Sequence, residues 1–328
     1  MRINKIYLEA ALNELAERHI NNKQLEKSRR NEILEKLPEY QDLENQLMQT
    51  VTDMISAVMD KSLPADEVSA NALNKNKEIQ RQMDELLERN GYPADYLDPI
   101  YTCPICKDKG NTGSDWCECL YSLTNKMAAE DLNENAPLDK SRFDNFDIER
   151  YSNKTDKDNT VSSKNIMQKN FEYCELFAEQ FNGKGSGILM VGNTGLGKTH
   201  LSLAIANKLI ENGFCVVYGS VTELIRKINS EQFDNVEGDT MSLVKSCDLL
   251  ILDDLGVENK SEWNASLLYE IINTRQNKRA PMIINTNLDL DELTQCYGDR
   301  LSSRMFSMKV MFFEGTDNRV AFSENYNI

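Results

Sequence analysis

Gly187-Ile-Leu-Met-Val191, Gly192-Asn193-Thr194-Gly195-Leu196-Gly197-Lys198-Thr199 and the following HLSLAIANKL (200–209) decide the fold. The central octet fits G-x-x-x-x-G-K-[ST] at every fixed position, with an apolar strand before it and a helix-forming run after it. Glycines let successive backbone N–H groups turn inward around a phosphate, and the helix N-terminus adds partial positive charge. Lys198 is placed to reach the β/γ oxygens and Thr199 to ligate Mg²⁺. His200 is assigned no role.

Fifty residues on, Leu249-Leu250-Ile251-Leu252-Asp253-Asp254-Leu255-Gly256 reads as a buried strand whose tip delivers two carboxylates to the nucleotide. Asp253 is expected to hold Mg²⁺ through water, and Asp254 to orient or deprotonate the attacking water. Pro281–Leu288 (PMIINTNL) is another strand ending in polar residues, with Asn287, and Asn285 as second candidate, placed to read the terminal phosphate. In Gly298–Met305 (GDRLSSRM) two arginines lie at i and i+4 on one helical face, and Arg304 is the candidate for stabilising the transferring phosphoryl group. Arg319 is a weaker candidate for a second nucleotide contact.

Around these motifs, short apolar runs (GILMV, FCVVYG, LLILD, MIINT) alternate with helical segments, which implies a parallel sheet covered by helices, an α/β core. Residues 1 to about 90 read as helices instead. Their narrow apolar stripes are Ile6, Leu12, Leu15 and Ala16; Leu43, Leu47, Val51, Met54, Ile55 and Val58; and Ile79, Met83, Leu86 and Leu87. Two readings stay open: a bundle whose stripes pack on one another, or a module that docks one stripe on a partner. The expected division is a helical region at 1–95, a Cys module at 96–125, a polar linker at 126–160 and the nucleotide-binding domain at 161–328.

Composition narrows the function classes. The 328 residues are 40% hydrophobic and 27% charged, with a net charge of −16 that argues against non-specific coating of DNA and limits any nucleic-acid affinity. No apolar run approaches the length of a membrane span, and the N-terminus lacks an export signal, so a cytoplasmic, membrane-free protein is expected. With two histidines in the chain, a metal site must draw on Cys or carboxylate. Cys103, Cys106, Cys117 and Cys119, interspersed with Gly110 and Gly113, fit a closed structural Zn²⁺ site; unligated thiols or a redox pair are the alternatives. Cys174, Cys215, Cys247 and Cys296 read as small core residues.

The segments GNTGLGKTHLSLAIANKL, LLILDDLG, IINTNL and DRLSSRM together resemble the AAA+ ATPases of the DnaC/DnaI helicase-loader family and their IstB-type transposition cousins, over roughly residues 160–328. The Cys-rich segment resembles, more weakly, the module of some Gram-positive loaders. The resemblance implies ATP phosphates along Gly192, Asn193, Thr194, Gly195, Leu196, Gly197, Lys198 and Thr199, and Mg²⁺ at Asp253 and Thr199. It further implies catalysis at Asp254, a sensor at Asn287, an arginine finger at Arg304 and a second sensor near Arg319. Asp-Glu is commoner in the family where this chain has Asp253-Asp254. Only 24 residues follow Arg304, which is short for a helical lid, so a lidless P-loop AAA+ core is expected.

Such a core leaves its nucleotide open on one side, making a neighbouring copy the natural source of Arg304. The implied function is an ATPase that binds the replicative hexameric helicase and loads it onto single-stranded DNA, self-associating with ATP. The alternatives are an IstB-like transposition helper or an ATP-switched adaptor. Candidate DNA contacts are Thr222, Arg226 and Lys227, and Arg275, Lys278 and Arg279.

Overall fold

The computed structural model describes residues 5–59, 65–134, 136–153, 161–233, 238–259 and 261–315. The chain divides into two compact units, Leu12–Cys117 and Glu118–Ile328, the latter joined by the first eleven residues. Among the described residues no helix is long and apolar enough to cross a membrane.

The first unit is built on α1 (Lys5–Lys36), α2 (Pro38–Met59) and α3 (Ala65–Arg89). Pro38 opens α2, where its missing N–H costs no helix hydrogen bond. Ile33, Tyr40, Ile79, Met83 and Leu87 form the core, with Leu43, Leu47 and Leu86 against it. The stripes of α2 and α3 thus pack on one another along part of their length. The second half of the α2 stripe does not follow: Val51 and Ile55 are exposed.

The second unit contains α4 (Glu118–Leu132), α5 (Ser163–Glu179), β1 (Ile188–Val191), α6 (Lys198–Glu211), β2 (Val216–Ser220), α7 (Val221–Phe233) and α8 (Thr240–Ser246). It continues through β3 (Leu249–Leu255), α9 (Glu262–Asn277), β4 (Met282–Thr286), α10 (Leu290–Phe306) and β5 (Lys309–Phe312). The sheet is parallel throughout, in the order β2-β3-β4-β1-β5. Leu189, Val191, Val217, Leu250, Leu252 and Ile284 point to one face, beneath α7 to α10. Ile188, Met190, Val216, Leu249, Ile251 and Ile283 point to the other, beneath α5 and α6. Burial on both faces explains why these strands read as continuous apolar runs rather than alternating ones.

Four of the strands coincide with the apolar runs of the sequence, and β5 adds a fifth beyond α10. Past α10, β5 is the only element among the described residues. Cys174, Cys215 and Cys247 lie in the core, where burial pushes the Cys174 thiol up to about 12; Cys296 is half-buried on α10.

The polar stretch 126–160, read from composition as a linker, contributes directly to this unit. Its start is the second half of α4, and Asn133 follows as a side-chain bridge to β2. The Asn133 amide donates to the Val216 carbonyl at 2.7 Å and accepts from the Tyr218 N–H at 2.9 Å. Short 3₁₀ turns at Leu138–Lys140 and Ile148–Arg150 then bring Phe143, Phe146 and Tyr151 against the α5/α6 face. One buried and two partly buried aromatics from an otherwise polar segment outweigh its composition.

Arg275 also departs from its sequence reading as a DNA contact. It is 0% exposed. Its guanidinium donates to the carbonyls of Val244 (2.9 Å), Cys247 (3.0 Å) and Pro281 (2.6 Å), clamping the end of α8 to the starts of β3 and β4. A planar fork of donors beside a helix C-terminus is well suited to that task. Lys278, Arg279, Thr222, Arg226 and Lys227 are exposed.

Candidate nucleotide site

The octet 192–199 joins the C-terminal end of β1 to the N-terminus of α6, where ligands bind in open parallel sheets. Gly197 caps α6 with φ 92°, and a Cβ there would lie 2.7 Å from the Tyr151 hydroxyl and 3.0 Å from the Phe146 ring. Only glycine meets both conditions. The Tyr151 hydroxyl in turn donates to the Leu196 carbonyl at 2.9 Å, so the former linker braces the loop from outside.

Lys198 is 6% exposed. Its ammonium donates to the carbonyls of Gly192 (2.6 Å) and Asn193 (2.8 Å) and to Asn287 Oδ1 (2.7 Å). The loop lysine and the proposed sensor are therefore in direct contact. Asn285, the second sensor candidate, is fully buried, and its amide donates to Asp253 Oδ1 and to the Ser202 hydroxyl, each at 2.9 Å. Of the two asparagines, Asn287 lines the cleft.

Asp253 and Asp254 differ sharply although they are adjacent. The β3–β4 register shifts between Leu252 and Leu255, an irregularity that lets consecutive side chains diverge. Asp253 is 3% exposed. Its Oδ1 accepts from the Thr199 hydroxyl (3.2 Å), the Asn285 amide (2.9 Å) and the Asp254 N–H (3.1 Å), while its Oδ2 accepts from the Tyr218 hydroxyl (2.7 Å). Four donors converging on one buried carboxylate fix its orientation. Burial, and then the Asp253 charge, hold the Tyr218 phenol above its usual range, so it remains a donor. Asp254 has φ 54°, a left-handed conformation that Asp tolerates better than most residues, and its exposed side chain lines the cleft.

The cleft encloses about 630 Å³. One wall is Thr194 to His200 with Asp254 and Asn287; the other is Lys140, Asn145, Phe146, Asp147, Arg150 and Tyr151. A pocket lined by loop residues, the Lys198 ammonium and aromatic rings suits a nucleotide.

Arg304 is not among the residues lining this cleft. Its guanidinium lies over the Tyr269 ring, 5.2 Å from the centroid, and donates to the Tyr269 hydroxyl at 3.2 Å. Arg319 lies outside the described residues. Sequence reading missed Tyr218, a lone Tyr in an apolar strand, and the whole second wall. The signal for the wall was present in RFDNFDIERY (142–151), whose aromatic residues stand out from a polar background.

The four cysteines converge. The Sγ atoms of Cys103, Cys106, Cys117 and Cys119 all lie within 4.8 Å of one another, and the Cys103–Cys117 pair is at 3.8 Å. Around them, the Gly110 N–H donates to Cys106 Sγ at 3.3 Å, and Asp108 accepts from the Thr102 and Cys103 N–H groups at 3.0 and 2.7 Å.

Residues 158–307 match the family described as IstB-like ATP binding protein. The replicative helicase loader DnaC of Escherichia coli (strain K12) is 28% identical over 132 residues, 39% of this chain and 54% of that protein. The replicative helicase loader DnaI of Bacillus subtilis (strain 168) is 29% identical over 126 residues, 38% of this chain and 40% of that protein. An insertion sequence ATP-binding protein of Sinorhizobium fredii is 38% identical over 100 residues, 30% of this chain and 34% of that protein. Among solved structures, a crystal structure of the DnaC helicase loader is similar with a TM-score of 0.46 and 24% identity, covering 55% of this chain and 99% of that one. The chain spans about half or less of the length of the three sequence relatives. Its matched segment is similar to the IstB-like ATP-binding proteins and, in sequence, to the helicase loaders.

Proposed function

We propose that this chain is an ATP-driven replication factor that grips the replicative hexameric helicase and delivers it onto single-stranded DNA. The observation that carries the reading is the Lys198–Asn287 and Thr199–Asp253 constellation at the head of the parallel sheet. It stands within the segment similar to proteins named as replicative helicase loaders. The first unit and the Cys module supply the partner-binding part. The 38% identity to the insertion sequence protein favours a second reading, an IstB-like helper of transposition.

In this account the amides of 192–199 and the Lys198 ammonium hold the ATP phosphates. A hydroxyl and a carboxylate 3.2 Å apart are a fitting pair for Mg²⁺, so Thr199 and Asp253 would hold it, and the ion would neutralise the β/γ oxygens. Asp254 orients and deprotonates the attacking water, and Asn287 reads the terminal phosphate. Arg304 acts on the site of a neighbouring copy, which makes the working form an ATP-dependent homo-oligomer. Arg319 is assigned a second nucleotide contact. Single-stranded DNA binds with modest, salt-sensitive affinity, as the net charge of −16 requires. The compartment is the cytoplasm.

The cysteine cluster fits Zn²⁺. A tetrahedral site with Zn–S bonds of about 2.3 Å has S···S edges of about 3.8 Å, the separation found for Cys103 and Cys117. Purified protein is expected to carry about one zinc per chain. Its removal by a chelator, or the change Cys106→Ser, is expected to lower the thermal midpoint, because a segment this short has little core of its own. Metal-free protein with an unchanged midpoint would contradict the site.

The function is tested with the full chain. It should retain the hexameric replicative helicase in a pull-down, and with ATP it should place that helicase on closed circular single-stranded DNA. Failure of both, with ATP turnover intact, would turn the reading toward transposition.

A further inference from the structure

The strand tip that carries Asp254 is wired to the helix that carries Arg304. After Asp254 the chain turns back through Leu255–Glu258. Glu258 is only 5% exposed, yet no cation pairs with it among the described residues. One carboxylate oxygen accepts from the Gly256 N–H at 2.9 Å, closing the turn, and the other accepts from the Tyr297 hydroxyl on α10. The same turn is tied to the sensor segment, since the Thr286 hydroxyl donates to the Leu255 carbonyl at 2.8 Å.

Tyr297 stands at a break. The next residue, Gly298, has φ 73° and ψ 163°, so α10 is two helical pieces joined at one non-helical residue. The first piece ends on the Tyr297 hydroxyl that Glu258 holds, and the second carries Arg300 and Arg304. Across the break the Ser302 hydroxyl donates to the Leu293 carbonyl at 3.1 Å, which holds the second piece to the first. A buried carboxylate–phenol contact is directional and expensive to leave unmade, so it fixes the turn against the helix end.

The geometry points to Tyr297 as a positioning residue: through its bond to Glu258 it ties the setting of the Asp254 turn in one copy to the aim of the Arg304 that this copy offers its neighbour. This rests on the reading above that Arg304 acts between copies. Burial and the Glu258 carboxylate hold the Tyr297 phenol above its usual range, so the proton stays on the phenol as the link requires.

The test uses a full-length dopant that hydrolyses nothing itself. Asp254→Asn chains are mixed in equal amount with parent chains, and turnover is compared with that given by Asp254→Asn/Tyr297→Phe and Asp254→Asn/Arg304→Ala dopants. Any loss beyond the first mixture reports what the dopant supplies to its neighbour. Both double variants are expected to depress turnover below the Asp254→Asn mixture. Tyr297→Phe in an otherwise parental chain is expected to lower kcat about tenfold with ATP affinity unchanged. If Tyr297→Phe fails to fold, as judged by its thermal midpoint, Glu258→Gln takes its place with the same expectation.

A Tyr297→Phe dopant equal to Asp254→Asn, while the Arg304→Ala dopant depresses turnover, would overturn the link and leave the arginine assignment standing. Equality of all three mixtures would overturn the action of Arg304 between copies, and the link with it.

Discussion

Replacing Arg304 with alanine is expected to cut ATP turnover about a thousandfold while leaving ATP affinity where it was; an arginine that stabilises a transferring phosphoryl group is worth at least that much. The geometry separates the two effects. Arg304 is absent from the residues lining its own copy's cleft, and its guanidinium is parked on Tyr269, 5.2 Å from the ring centroid. Truncation therefore removes nothing that touches nucleotide in the same chain. What it removes is a planar cation held half-exposed on a folded surface, available to an adjoining copy. Mixing supplies the decisive form of the experiment. Arg304→Ala and Asp254→Asn chains, each inactive alone, should restore turnover together, because one contributes an intact water-activating carboxylate and the other an intact guanidinium. Unchanged turnover in Arg304→Ala, or no recovery on mixing, would count against sites shared between copies.

Asp254→Asn is expected to lower the chemical step by about 10²–10⁴-fold, the range for loss of a positioned general base. Binding should survive, since the carboxylates have separate duties. Asp253 is buried under four donors and fixed beside Thr199, whereas Asp254 is exposed to the cleft and bonded to Asp253 through its backbone N–H. Asparagine tolerates the φ of 54° at this position, so the turn is preserved and only the base is lost. Single-turnover hydrolysis with pre-bound ATP isolates the step. A variant that hydrolyses at the parental rate would move the base to another residue.

Much of this site was legible in the sequence because its chemistry demands particular residues at fixed spacing. Gly192 to Thr199, and an apolar strand ending in Asp253-Asp254, can do little else once placed at the head of a parallel sheet. Of the two asparagine candidates, the structure puts Asn287, the first choice, in the cleft and buries Asn285 against Asp253. Long-range pairing was what remained hidden. Nothing in a lone Tyr218 announces that β2 lies beside β3 with its hydroxyl on Asp253, and nothing in Arg275 announces that three strand and helix ends converge on it. The stretch 126–160 misled for a related reason. Its composition is that of a linker, but a few aromatics and Asn133 decide where it packs, and averages over a window dilute them.

The central claim is that the loop at 192–199 grips a triphosphate with its amides and the Lys198 ammonium. Calorimetric titration of Mg·ATP into the parent protein and into Lys198→Ala tests it most directly. The account predicts saturable binding near one ATP per chain in the parent and loss of measurable heat in the variant. Equal binding by both, or no saturable signal from the parent, would contradict it.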